Sequence, residues 1–139
     1  MHLLDTDTLL HLWAGHERVV QRLAETEDTE IATTSITRSE ILRRRCENLL
    51  KADSSAAVVK AQELLDRSEQ QLSPLTVIPF DEAAAEQFDR LLQIGRLKRI
   101  GRADLLVASV ALANHATVVT RNLRHFRQVP GLALENWVD

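Results

Sequence analysis

The sequence predicts an α/β fold with a mainly parallel central sheet of four to five strands flanked by helices. Short apolar segments alternate along the chain with longer segments of helical periodicity, which is the pattern of βα units. The first apolar segment ends directly at Asp5, as at the carboxyl end of a buried parallel strand. A length of 139 residues suffices for one core. We therefore expect residues 1–139 to form a single domain.

The strands are predicted from short apolar segments that end at polar residues or at proline. The first precedes Asp5, and Pro79 stops the third. The later segments are Glu30–Thr33, Leu75–Ile78, Thr117–Thr120 and, as the candidate fifth strand, Ala133–Glu135.

Apolar residues at helical spacing predict the helices between these strands. The first helix extends from Thr8 to about Leu23, and a polar connection over Glu25–Asp28 follows it. The others are a helix after Ser35 with Leu42, Cys46, Leu49 and Leu50 on its apolar face, a helix over Ala52–Gln71 opened by Ser54 or Ser55, a helix capped by Asp81, and a nearly all-apolar helix over Ala103–Asn114. Residues 95–102 are predicted to form a basic loop.

Composition restricts the functional classes. The lone Cys46 excludes an internal disulfide and suits a reducing cytoplasm, and its place on an apolar helix face predicts a core position. The sequence shows no signal peptide and no apolar segment long enough to cross a bilayer, so we expect a cytoplasmic protein with no membrane partner. The net charge of −3 disfavours a general nucleic-acid coat protein. It leaves a nuclease open because the arginines are unevenly distributed.

Three carboxylates occupy equivalent places in the predicted fold. Asp5 ends a strand, Glu40 follows the next, and Asp104 begins the most buried helix, so all three are expected at one rim of the sheet. Each also has a purely structural explanation: Asp5 as a helix cap or Asx turn, Glu40 as the partner of Thr37 in a capping box, and Asp104 as an N-cap.

As a group, the three carboxylates predict a metal site. Carboxylates at one rim raise one another's pKa unless a cation joins them. Oxygen ligands without nearby histidine or cysteine favour Mg²⁺ or Mn²⁺, and such a site coordinates a phosphate oxygen and lowers the pKa of a water for in-line attack.

The arginines support a nucleic-acid substrate. Arg43 lies one helical turn after Glu40, Arg99 and Arg102 precede Asp104, and Arg121 follows the fourth strand. Solvated helix faces are the alternative, above all for residues 43–45. We predict that these four arginines contact the phosphate backbone of the substrate.

Several motifs together resemble the PIN-domain family in order and spacing, and within it the VapC-type toxins of bacterial and archaeal toxin–antitoxin modules. They are Leu3-Leu4-Asp5-Thr6-Asp7, Ser39-Glu40-Ile41, Asp104-Leu105-Leu106-Val107-Ala108, residues 119–126, Pro130-Gly131-Leu132 and Glu135-Asn136-Trp137. The resemblance implies an Mg²⁺- or Mn²⁺-dependent endoribonuclease whose three acids are Asp5, Glu40 and Asp104. It further implies that Thr6, Thr120 and Asn122 support the site.

Two residues depart from the family pattern and leave open whether one metal ion or two are bound. The family usually has Asn in place of Asp7 and often an acid in place of His125. Asp7 either compensates for that acid or caps the first helix, and His125 either holds a phosphate or is a surface residue.

The resemblance also implies partners: an RNA substrate, with a folded RNA such as a tRNA favoured, a VapB-like antitoxin and a toxin homodimer. Residues 51–73 either form part of an antitoxin groove or only cover the core. With aromatics at 4% and no tyrosine, recognition is expected through RNA shape and phosphates more than base stacking. The alternatives are a non-toxin PIN nuclease in RNA processing or repair and a catalytically inactive PIN binding module.

Overall fold

The computed structural model describes residues 1–27 and 30–139, and a five-stranded sheet forms its centre. The strand order is β3-β2-β1-β4-β5, and all neighbouring strands are parallel. The bounds are β1 His2–Leu4, β2 Ile31–Thr34, β3 Thr76–Ile78, β4 Thr117–Val119 and β5 Ala133–Glu135. The predicted parallel sheet is confirmed, and the candidate fifth strand is present at the predicted residues.

Helices cover both faces of this sheet. They are α1 Thr6–Trp13, α2 Glu17–Glu25, α3 Ser35–Lys51, α4 Ser55–Leu72, α5 Glu82–Leu92, α6 Arg102–Ala113 and α7 Leu123–Phe126. The predicted caps at Ser54 and Asp81 are confirmed, because their side chains accept from the backbone N–H groups of Ala57 and Ala84. None of the helices within 1–27 and 30–139 is long and apolar enough to span a membrane.

The prediction of one helix from Thr8 to about Leu23 is wrong. Gly15 has a φ of 77°, a left-handed conformation that ends a helix and that glycine adopts without steric cost. Two helices, α1 and α2, result. The connection predicted over Glu25–Asp28 lies partly outside the described residues, since Asp28 is not among them.

The apolar face predicted for α3 is also wrong in part. Cys46 is exposed rather than in the core, and Leu50 is 85% exposed. In this helix Ile41 is buried in the core, whereas farther along Arg45 Nε donates to the buried Ser68 Oγ of α4 at 3.1 Å. The second half of α3 therefore packs against α4 through a different face.

The basic segment before α6 is more ordered than a loop. Residues Gly95–Arg99 form a 3₁₀ helix, and Leu97 within it is fully buried. The segment is therefore anchored to the core by its apolar residues while its basic side chains remain exposed.

In the part of the chain that the structure describes, two hydrophobic clusters flank the sheet. Leu3 and Val118 belong to the cluster that includes α5 and α6, whereas Leu4 and Val119 belong to the cluster around Leu9, Ile41 and Trp137. Successive residues of a strand point to opposite faces, so both faces of β1 and β4 are buried. The polar residues that follow these strands are thus held at a rigid rim.

Candidate active site

The three predicted acids line a single cleft of about 240 Å³. Asp5 directly follows β1, Glu40 lies in the second turn of α3 after β2, and Asp104 lies in the first turn of α6. Helices that connect parallel strands run back across the sheet, so the N-terminus of α6 reaches the rim where β1 and β2 end. Residues far apart in the sequence therefore meet in one place.

Asp5 has both a structural and a cleft position. Its Oδ1 accepts from the Thr8 backbone N–H at 2.9 Å and caps α1. Burial raises the pKa of the Asp5 carboxyl, and hydrogen bonds from Thr120 and Thr8 offset part of that rise. Asp5 therefore caps α1 and also lines the cleft.

Glu40 lies in the cleft and takes no part in a capping box. The N-cap of α3 is Thr34, whose Oγ1 accepts from the Thr37 backbone N–H at 3.0 Å. Burial, followed by the nearby charge of Asp104, raises the pKa of Glu40. The Thr6 hydroxyl donates to Glu40 Oε1 at 3.5 Å, which orients that carboxylate toward α1.

Asp104 is not an N-cap, because Gly101 occupies that position. Its Oδ2 accepts from Asn122 Nδ2 at 3.0 Å and lies 3.0 Å from His125 Nδ1. Asn122 Nδ2 also lies 2.9 Å from His125 Nδ1, so these three polar atoms are within hydrogen-bond distance of one another. His125, which was predicted either to hold a phosphate or to be a surface residue, is half-exposed and in contact with Asp104.

Thr120 connects this group to β1. It is fully buried, and its Oγ1 accepts from the Asn122 backbone N–H at 2.9 Å. Its hydroxyl also donates to the Asp5 carboxylate. One hydroxyl thus links the acid after β1 to the segment after β4.

Asp7 lines the cleft and is not the cap of α1, which is Asp5. The prediction that it only caps the helix is therefore wrong. Its Oδ2 is buried without a hydrogen bond, and His11 Nδ1 lies 3.5 Å away. The Asp7 side chain as a whole is 47% exposed, so it adds to the cleft a fourth carboxyl group that keeps contact with solvent.

Arg44 is the arginine that lines the acidic cleft; from the sequence it was considered only as one of residues 43–45, and Arg43 was chosen as the phosphate contact. Its spacing from Glu40 indicates this position, because residues four apart share a helix face and Arg44 is four residues after Glu40. Arg43, Arg99, Arg102 and Arg121 lie outside the lining of this cleft. Arg43 pairs with Glu47, Arg121 pairs with Asp139, Arg102 lies over the Phe88 ring, and Arg99 is exposed in the 3₁₀ helix.

The donor set of the cleft fits a hard divalent cation. All of its acidic ligand candidates are carboxylates, and those of Asp5 and Glu40 have raised pKa values, which a cation would reverse. Within the described ranges no three His, Cys, Asp or Glu side chains converge closely enough to hold a metal ion by themselves. Mg²⁺ suits such a site because it keeps several waters and uses one or two carboxylates together with substrate phosphates.

This chain matches one family model and is similar in sequence to two VapC proteins. A family model described as the PIN domain matches residues 2–132. The chain is 26% identical over 137 residues to the tRNA(fMet)-specific endonuclease VapC of Salmonella typhimurium, covering 97% of this chain and 96% of that protein. It is 55% identical over 38 residues to ribonuclease VapC2 of Rickettsia felis, but that segment spans only 27% of this chain and 28% of that protein.

Two solved structures are similar over nearly the whole chain. VapBC2 from Rickettsia felis, bound to a DNA fragment from its promoter, has a TM-score of 0.76 and 27% identity, with 98% of each chain covered. DNA-bound VapBC from Salmonella typhimurium has a TM-score of 0.78 and 25% identity, with 98% of this chain and 97% of that chain covered.

Proposed function

Because the chain belongs to the PIN-domain family, we propose that it is an endoribonuclease that acts as the toxin of a VapBC-type toxin–antitoxin module. It hydrolyses phosphodiester bonds of RNA. Its similarity to two VapC proteins named for RNA cleavage supports this activity. The observation that carries the proposal is the convergence of Asp5, Glu40 and Asp104 on one cleft.

Asp5, Glu40 and Asp104 would hold Mg²⁺ or Mn²⁺ together with waters and a phosphate of the substrate, since no three acids of the described residues converge closely enough to hold it by themselves. When bound, such a cation supplies positive charge to the phosphate oxygens and makes a water molecule more acidic. Burial, and after it the nearby charge of Asp104, raises the pKa of Glu40, so these two acids would be stabilised by a positive partner. One cation or two remain compatible with the carboxylates of the cleft, which include Asp7.

The remaining residues of the cleft bind a substrate phosphate or orient the acidic side chains. Arg44 offers a guanidinium to a phosphate of the substrate, since its own helix places it beside Glu40. Thr120 and Thr8 fix the Asp5 carboxylate, while Asn122 and His125 fix one oxygen of Asp104. Fixed carboxylates need no reorganisation when the substrate arrives.

The partners follow from the relatives. Solved structures of similar chains are VapBC complexes, so we propose that a VapB-like antitoxin binds this chain. We also propose that two copies form a homodimer, as the resemblance to VapC-type toxins implies. A folded RNA such as a tRNA is the proposed substrate, in line with the name of the Salmonella relative. The chain acts as a single domain over residues 1–139 in the cytoplasm.

Cleavage of total cellular RNA by the purified protein tests the proposal. Discrete fragments should form with Mg²⁺ or Mn²⁺, and they should be absent with EDTA and with the Asp104→Asn variant. No cleavage by a folded, antitoxin-free sample would favour a catalytically inactive binding module. Cleavage without growth arrest on expression would favour a non-toxin nuclease of RNA processing.

A further inference from the structure

A second groove, of about 280 Å³, adjoins the acidic cleft, and Glu40 lines both. It lies between one face of α3 and the first turns of α6. Helix α3 supplies Ile36, Glu40 and Arg43, which are spaced as residues on one helix face, and α6 supplies Arg102, Ala103 and Leu106. A molecule in this groove would therefore lie directly beside the acids.

The floor of the groove is apolar. Ile36, Ala103 and Leu106 form it, and each is partly exposed. Leu106 belongs to neither of the two hydrophobic clusters formed by residues in the described part of the chain. Its side chain therefore presents apolar surface to the groove rather than to the core.

Two cations stand at the rim. The Arg43 side chain is 74% exposed, and its ion pair with the exposed Glu47 spans 3.7 Å, so the pair costs little to exchange for another anion. The Arg102 guanidinium lies 5.4 Å from the centre of the Phe88 ring, which holds it in place by a cation–π contact. An apolar floor with a cationic rim matches a nucleotide, which combines a flat base with anionic phosphates.

We propose that this groove binds one unpaired RNA nucleotide next to the scissile phosphate, with its base on the floor and its flanking phosphates at Arg43 and Arg102. The inference rests on the proposed function, because the scissile phosphate must lie at the acids. None of the described residues that line the groove is aromatic, so aliphatic side chains and guanidinium planes take the place of aromatic stacking. An apolar protein segment fits less well, since it would desolvate two arginines without supplying anions.

Binding of labelled oligomers to the full chain in EDTA tests the proposal by fluorescence anisotropy. The probes are single-stranded oligo-adenylate, oligo-uridylate and oligo-cytidylate, with an abasic ribose-phosphate oligomer of equal length as the reference. The abasic oligomer keeps every phosphate, so a difference in affinity reports the bases. We expect it to bind roughly 5-fold more weakly than the preferred homopolymer, which is the lower end of the range for a base stacked on an aromatic ring, because the groove is lined by aliphatic side chains.

Variants locate that difference in the groove. Leu106→Ala should weaken binding of the base-containing oligomers and leave the abasic oligomer unchanged. Leu112→Ala is the matched control, because Leu112 lies on the same helix and packs against the core. Arg43→Gln, at an exposed site where folding is safe, should weaken binding of all oligomers alike and lower their salt dependence.

Equal affinity for base-containing and abasic oligomers would overturn the proposal, as would binding to none of them or an equal loss for both with Leu106→Ala. A change from dimer to monomer on sedimentation of Leu106→Ala would assign the groove to a contact between copies. A different result would refute the proposed function. If total RNA stays intact with metal while binding depends on the base, the groove stands and the nuclease does not.

Discussion

His125 Nδ1 and Asn122 Nδ2 each lie 3.0 Å from the same oxygen of Asp104, its Oδ2. Asn122 Nδ2 donates to that oxygen and also lies 2.9 Å from His125 Nδ1. The arrangement joins α6 to the segment after β4 at the rim of the sheet. A histidine here fixes an acid instead of adding a further negative charge.

Removing this contact should impair activity without unfolding the protein. His125→Ala is expected to lower cleavage about 10- to 100-fold, the usual effect of losing a group that orients a ligand. His125→Asn, which keeps a donor, should restore part of the rate. Arg124→Ala is the control at the neighbouring exposed position. Unchanged cleavage by His125→Ala would show that Asn122 alone positions Asp104.

Arg44 should contribute to substrate binding as a phosphate contact. Arg44→Ala is expected to weaken RNA binding in EDTA and to reduce the slope of log affinity against log salt by about 0.7 to 0.9, the effect of one phosphate contact. Arg38→Ala is the control, since Arg38 lies on the same helix and lines a groove away from the acids. Equal slopes for Arg44→Ala and the unmodified chain would exclude that contact.

The sheet and its acids could be predicted because their signals are local. Short apolar segments between helical segments predict parallel strands, and an acid that follows a strand is expected at the rim. The caps at Ser54 and Asp81 are equally local, because each serves N–H groups within three residues.

Other features depend on contacts that the sequence does not display. The exposure of Cys46 and Leu50 follows from which face of α3 meets α4, and this face changes along the helix. Asp7 could not be separated from Asp5 as a cap without the exact start of α1. Arg44, by contrast, was detectable from its spacing to Glu40.

Two apolar residues of α3 should differ in how much they contribute to stability, because one is buried and the other is exposed. Ile41 is 2% exposed and packs in the cluster around Trp137, whereas Leu50 is 85% exposed. Ile41→Ala should lower the free energy of unfolding by about 2–5 kcal/mol, because it leaves a cavity. Leu50→Ala should change it by less than about 0.5 kcal/mol. Urea denaturation measures both, and equal losses would contradict the packing of α3.

The acids should make the metal-free protein less stable as pH rises. The folded-state pKa values of Asp5 and Glu40 lie above their ordinary values of 3.8 and 4.5. The folded state therefore binds more protons than the unfolded state from about those values upward, and stability falls until the pH passes the folded-state pKa values. Asp5→Asn, which keeps an oxygen to cap α1, should unfold at a higher temperature than the unmodified chain at neutral pH in EDTA. The difference should vanish below the ordinary pKa of aspartate. A lower melting temperature for Asp5→Asn at neutral pH would contradict the burial penalty.

Metal binding should offset the cost of burying the charged Asp5 and Glu40 carboxylates. In EDTA-treated protein, Mg²⁺ or Mn²⁺ at about 100 times its dissociation constant should raise the free energy of unfolding by about 2.7 kcal/mol, since a ligand of the folded state alone stabilises it by mass action. Asp104→Asn should lose most of this increase, because the amide lacks the charge that attracts the cation. Lys51 is the exposed last residue of α3, and Lys51→Gln should retain the increase. Thermal melts across a metal titration measure the effect. An equal increase for Asp104→Asn would place the cation away from this acid, and no increase for the unmodified chain would leave the raised pKa values of Asp5 and Glu40 uncompensated.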